Sequence, residues 1–194
     1  MVDPMERDGE GRTLPTHLGG HENVTHVDLG SLRAMRDEWN VCSLLDVGCG
    51  PGGQVMAARN RGMRAKGIDG DWRLVDALPD LIVHDYAKGP YVPDGRWDAA
   101  WCVEFLEHLD ERFLANVFRT FRRCGMVVMT HALPGGEAAH HHVNCRTAGY
   151  WRWQFKTRGF SLSGGMTALL RERTTMGREF MRTTGAVYVN GAWK

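Results

Sequence analysis

From residue 43 onward, short apolar runs alternate with stretches of helical periodicity, and this alternation restricts the fold more than any other feature. The runs are "SLLDV" from Ser43, "MRAKGID" from Met63, "DLIVHD" from Asp80, "RWDAAWCV" from Arg96, "GMVVMTH" from Gly125, "FSLS" from Phe160 and "GAVYVN" from Gly185. Helical patterns lie between them at 54–60, 72–77, 109–123, 147–158 and 167–181. A further helix, 29–39, precedes the first run, with Leu32, Met35 and Trp39 on one stripe and Ser31 as N-cap. Strands separated by helices pair in parallel through right-handed crossovers, so the expected fold is α/β, a doubly wound and mostly parallel sheet.

A chain of 194 residues is long enough for one well-buried domain but not for a dinucleotide domain plus a separate catalytic one. Residues 1–27 are rich in Gly, Pro, His and charge, and are expected to form a mobile N-terminal arm or lid; 28–194 form the single domain. Lys and Arg total 24 against 23 for Asp and Glu, so no overall field selects nucleic acid or an anionic membrane. With no apolar run of transmembrane length and no charged-then-apolar leader, a soluble cytoplasmic chain is expected. The five cysteines are odd in number and include no C-x-x-C pair, which points to reduced thiols rather than disulfides or a zinc ribbon. Oligomeric state leaves no signal.

The stretch "SLLDVGCGPGGQ", residues 43–54, fits a Gly-x-Gly-x-x-Gly loop at Gly48, Gly50 and Gly53, a pattern usually associated with a pyrophosphate at a helix N-terminus. Asp46, two residues ahead, argues against that ligand. In an open parallel sheet the ligand sits beyond the carboxyl ends of the strands, and those ends carry Asp46, Asp69, Asp85 and Glu104. Four acids around one crevice repel phosphates and favour a cation. A nicotinamide-dependent oxidoreductase, supported by the glycine spacing and by Asp69 beyond it, is therefore the weaker reading. A cofactor-binding protein without turnover is another.

On these residues the chain resembles the class I S-adenosylmethionine-dependent methyltransferases. Asp46, Gly48, Gly50 and Gly52 match their acid-Gly-x-Gly-x-Gly motif, "GIDGD" resembles the second motif and "HDY" the third. The resemblance implies a seven-stranded sheet whose last strand is antiparallel, with S-adenosylmethionine as cofactor. It further implies that Asp69 takes the ribose hydroxyls, Asp85 the adenine amino group and Glu104 the methionine end, with Gln54, Gly70 and Tyr86 as further contacts. Trp72 either packs on the adenosine or fills core. Several stretches, among them "VEFLEHL" and "HHHVN", also look like a small subgroup seen in phage and environmental sequences.

Methyl transfer is an in-line displacement, so an acceptor must be positioned and, where it is a hydroxyl, relieved of a proton. Histidine is the natural base near neutral pH. Candidates are His108, four residues after Glu104 and on the same face if a helix starts there, and His140 and His142, which alternate on the loop "GGEAAHHHVN". His131, His141, Asn144 and Trp151 are the expected acceptor contacts. No metal is expected, because the carboxylate set of metal-dependent O-methyltransferases is not evident, although two histidines of the His140–His142 loop with an Asp or Glu form a set able to bind a divalent metal. The expected acceptor is an oxygen or nitrogen of a small molecule or glycan. Nucleic acid is the runner-up, although "WDAAWCVEFLEHL" contains no Asp-Pro-Pro-Tyr type signature.

Overall fold

A computed structural model describes residues 13–135 and 141–193. Seven strands form one sheet: β1 (Ser43–Val47), β2 (Arg64–Asp69), β3 (Ile82–Val83), β4 (Trp97–Cys102), β5 (Cys124–Met129), β6 (Phe160–Leu162) and β7 (Ala186–Asn190). Their order is β3-β2-β1-β4-β5-β7-β6, parallel except for β7, which runs antiparallel to both neighbours. Strand order reverses between β1 and β4, which places a crevice beyond their carboxyl ends.

Successive residues of the central strands face opposite layers, so Leu44, Ala99 and Val128 enter one core while Leu45, Ala100 and Val127 enter the other. The first core is covered by α1 (Leu29–Glu38), α2 (Gly53–Arg59) and α5 (Gly164–Arg173) through Leu32, Met35, Val55, Ala58 and Leu170. The second is covered by α3 (Leu114–Phe121) and α4 (Ala148–Lys156), with Leu114, Val117, Phe118 and Phe121 on one stripe of α3. Phe155 stacks on Tyr188 at 4.0 Å there. Cys49, Cys102 and Cys124 are buried and unpaired.

Three boundaries differ from the sequence expectation. The 109–123 helix begins only at Leu114, after 3-10 turns at Leu106–His108 and Glu111–Phe113, because the Asp110 side chain caps the Arg112 amide and restarts the chain. The third strand shrinks to two residues at the sheet edge, since Asp80 takes a left-handed conformation just before it. The 167–181 helix divides into α5 and a short α6 (Phe180–Thr184).

Asp28 causes that last division. Fully buried, it accepts hydrogen bonds from the Ser31 amide (3.0 Å), the Ser31 hydroxyl (2.6 Å), the Thr175 amide (2.9 Å) and the Thr174 hydroxyl. It thus replaces Ser31 as the N-cap of α1 and pulls residues 174–175 out of helical register. Gly30 completes the clamp: a Cβ there would lie 1.9 Å from the Arg173 carbonyl oxygen. Replacing Asp28 by Ala should lower stability by on the order of 3 kcal/mol, read as a lower urea midpoint with an unchanged m-value.

Candidate active site

The glycine loop leaves β1 and is tied at once to β2, because the Gly48 and Cys49 amides both donate to the Ile68 carbonyl (2.9 and 3.1 Å). Gly48, with φ of 77°, occupies backbone space that only glycine takes without strain, and a Cβ there would sit 2.3 Å from the Phe105 ring. Beyond the loop lies a cavity of about 1090 Å³. The glycine loop and the ends of β1 and β2 give its lining Asp46, Gly48, Gly50, Gln54 and Asp69, and segments after β4 and β5 give Glu104, Phe105, His108, His131 and His142. Arm residues from His17 to His26 and the segment around Arg178 and Phe180 complete the wall. A small annex of about 30 Å³ is lined by Gly70, Asp85 and Tyr86 together with His17 and Leu18 of the arm.

The strand-end group is acidic and desolvated. Burial, and then the Asp69 carboxylate, push Asp46 well above the usual carboxylate range. Asp69 is also raised by burial, although it accepts hydrogen bonds from the Gly50 and Asp71 amides (2.9 Å each). Gln54 is buried; its Oε1 accepts from the Asp28 amide (2.9 Å), whereas Nε2 has no partner among the described residues. The arm meets two further acids. His17 Nε2 donates to Asp85 (3.1 Å), and His21 Nε2 to Asp71 (3.1 Å). Burial alone would raise Asp71, but hydrogen bonds from His21 and Arg73 outweigh it and hold the carboxyl well below its ordinary range.

The later segments bring imidazoles and the acid Glu104 to the lining, with a further acid, Glu107, buried behind it. Glu104 has φ of 52°, unusual for a residue with a side chain, and Thr130 holds it there. The Glu104 amide donates to Thr130 Oγ1 (2.8 Å), which donates in turn to Glu104 Oε1 (2.7 Å). Burial raises the Glu104 pKa. Glu107, fully buried in the 3-10 turn, is pushed well up by burial and by the Glu104 carboxyl. Neither of its oxygens has a hydrogen-bond partner among the described residues. The His108 and His142 rings meet edge to face at 4.8 Å. His131 Nδ1 donates to the Ala132 carbonyl (3.4 Å), and burial keeps its pKa below the usual imidazole value.

Of the cofactor-side residues expected from sequence, Asp46, Gly48, Gly50, Gln54, Asp69, Gly70 and Glu104 line the main cavity, and Asp85 and Tyr86 the annex. Gly52 and Trp72 line neither; Gly52 is taken up by the turn into α2 against Leu78. On the acceptor side His108, His131 and His142 converge, while His140 lies outside the described residues. His141 turns towards His17 instead, with ring centroids 5.9 Å apart. Two acceptor contacts need correction. Trp151 is fully buried in the core behind His131, because α4 packs that face on the sheet. Asn144 is also buried, its amide donating to the Leu109 carbonyl (3.1 Å), so it fixes the loop and does not line the cavity.

The expected shared helix face for Glu104 and His108 is absent too, since a 3-10 turn replaces the helix. Sequence reasoning passed over Glu107, Phe105, Arg178 and Phe180. For Glu107 a signal existed in the second acid of "EFLEH"; the other three depend on how distant segments pack.

Residues 45–129 match a protein family described as a methyltransferase domain. No curated protein sequence matches the chain. Among solved structures, magnesium protoporphyrin IX methyltransferase from Synechocystis PCC 6803 is 17% identical, with 82% of this chain and 76% of that one covered, at a TM-score of 0.57. The 1,6-didemethyltoxoflavin-N1-methyltransferase of Burkholderia thailandensis is 13% identical over 82% and 74%, at 0.55. The [4+2]-cyclase SpnF is 20% identical over 83% and 78%, at 0.54. These likenesses establish the fold, the seven-stranded sheet of class I methyltransferases, and the cyclase among them shows that the fold alone does not set the reaction.

The desolvated acids have a measurable consequence. A carboxyl whose pKa is raised on folding binds more protons folded than unfolded, so stability falls as pH climbs from about 4, its unfolded value, towards the folded one. Asp46→Asn should flatten that slope and make the ligand-free chain more stable at pH 8, as read from melting temperatures at pH 5 and pH 8.

Proposed function

With a methyltransferase domain over residues 45–129 as the premise, we propose that the protein transfers a methyl group from S-adenosylmethionine to an oxygen or nitrogen of a small molecule or sugar. The observation that carries this reading is the pair of buried carboxyls, Asp46 and Asp69, with an unpartnered Gln54 amide donor in the same cavity lining. A ligand with an ammonium, a sulfonium and a carboxylate supplies what these groups lack. Bound there, the cofactor brings an electrophilic methyl group on a positively charged sulfur.

The chain's own residues divide the remaining work. Asp46 balances positive charge in a site that excludes bulk water, where the interaction is stronger than at the surface. Asp69 keeps lone pairs for ribose hydroxyls after accepting its two backbone amides. Asp85, at the annex, suits an exocyclic amino group, which would share or replace the hydrogen bond from His17. His108 and His142 meet the acceptor and set its distance and angle. Positioning of this kind is worth about 7 to 11 kcal/mol, against roughly 10² to 10⁴ fold for a base alone. Arm residues from His17 to His26 form part of the cavity wall, which favours an acceptor of limited size.

Asp69→Ala should weaken S-adenosylmethionine binding at least tenfold, about 1.4 kcal/mol, with the unfolding midpoint little changed; calorimetry that finds unchanged affinity would remove Asp69 from the site. Labelled methyl transfer into fractionated extract should mark the small-molecule or glycan fraction. Label in nucleic acid would move the acceptor to that class, and binding of NAD but not of S-adenosylmethionine would overturn the reading.

A further inference from the structure

The least explained group near the cavity is Glu107, buried just behind the wall residues Phe105 and His108. Its side chain is fully buried, with the Ala132 amide and the Glu104 carboxyl close by, yet neither oxygen is in a well-formed hydrogen bond among the described residues. A buried carboxyl with unfilled lone pairs calls for an explanation, and a bound ion is one that fits. The neighbouring residue supplies the His108 imidazole, and a segment 34 positions further on supplies His142. One ligand atom from each of Glu107, His108 and His142 lies within 4.8 Å of the other two.

The backbone builds this convergence. The Val143 and Asn144 amides both donate to the Glu107 carbonyl (3.0 and 2.9 Å), and the buried Asn144 side chain donates to the Leu109 carbonyl (3.1 Å). These bonds pin the 3-10 turn and the residue after it to the chain beyond His142, which brings the three side chains together. Glu104, in a left-handed conformation and fixed by Thr130, sets a second carboxyl beside them. Such strain in a site-lining residue is usual where geometry serves a ligand.

We propose that Glu107, His108 and His142 bind a divalent cation at the proposed acceptor side of the cavity. This deepens the methyltransferase reading and rests on it for the cation's role. One carboxylate with two imidazoles suits Mn²⁺, Co²⁺, Fe²⁺ or Zn²⁺ better than Mg²⁺, which prefers oxygen ligands. Three protein donors leave coordination positions for a ligand from the cavity. The acceptor that fits is a hydroxyl: the cation binds its oxygen and lowers its pKa, and the proton passes to solvent. The oxygen lone pair then forms the bond to the methyl carbon as the carbon–sulfur bond breaks, its electron pair staying on sulfur.

Titration of the purified full chain with Co²⁺, followed by visible absorption, tests the site without turnover. The expected result is one saturable Co²⁺ per chain, displaced readily by Zn²⁺ and poorly by Mg²⁺. His142→Ala and Glu107→Gln should each weaken Co²⁺ at least tenfold, and His142→Ala serves if Glu107→Gln does not fold. Asp69→Ala should leave Co²⁺ affinity unchanged while losing S-adenosylmethionine. Absence of a saturable Co²⁺ spectrum, or full affinity in His142→Ala, overturns the cation site even where S-adenosylmethionine still binds; a Co²⁺ site in a chain that does not bind S-adenosylmethionine supports the site and rejects the methyltransferase reading.

Discussion

Carboxyl groups held out of water are the constraint on which this site depends. Asp46 and Asp69 stand at the ends of adjacent parallel strands, β1 and β2, whose register pairs Asp46 with Gly67 and keeps both acids at one rim. The ladder fixes them there, so neither can move to solvent. Burial then raises both, Asp69 adding its repulsion at Asp46, and the cavity is poised for a positive charge. Stability given up in the empty protein returns as selectivity when a cationic ligand binds.

A second buried acid is used in the reverse sense. Asp28 is saturated with hydrogen bonds, and through them it joins the start of α1 to the turn after α5. Its amide also donates to Gln54, a residue of the cavity floor. The same junction therefore positions the end of the arm, the first turn of α2, and the segment that brings Arg178 and Phe180 to the cavity. Ahead of it, His17 and His21 reach Asp85 and Asp71, which explains why a glycine- and histidine-rich stretch takes a definite place over the site.

Much of the proposed cofactor side of the cavity lining was legible in sequence, because its residues follow strand ends and a glycine loop, features that local pattern specifies. Asp46, Gly48, Gly50 and Asp69 sit where the alternation of strand and helix puts them. The proposed acceptor side was less legible. Trp151 and Asn144 carry side chains suited to recognition, but packing against the sheet and hydrogen bonding to Leu109 absorb them. Glu107 gave a sign only as a second acid in "EFLEH", since its burial follows from a 3-10 turn that helical periodicity cannot foretell.

The sequence by itself determined the α/β class, the acidic rim and the position of the glycine loop, because strand alternation and glycine placement act over a few residues. Tertiary structure decided which histidines converge, where the 167–181 helix breaks, and which acids are left without a partner. Those outcomes rest on contacts between segments distant in the chain, Asp28 with Thr174 and Thr175, Glu107 with Val143 and Asn144, and His17 with Asp85. No local pattern encodes them; each depends on two surfaces fitting and on the removal of water between them.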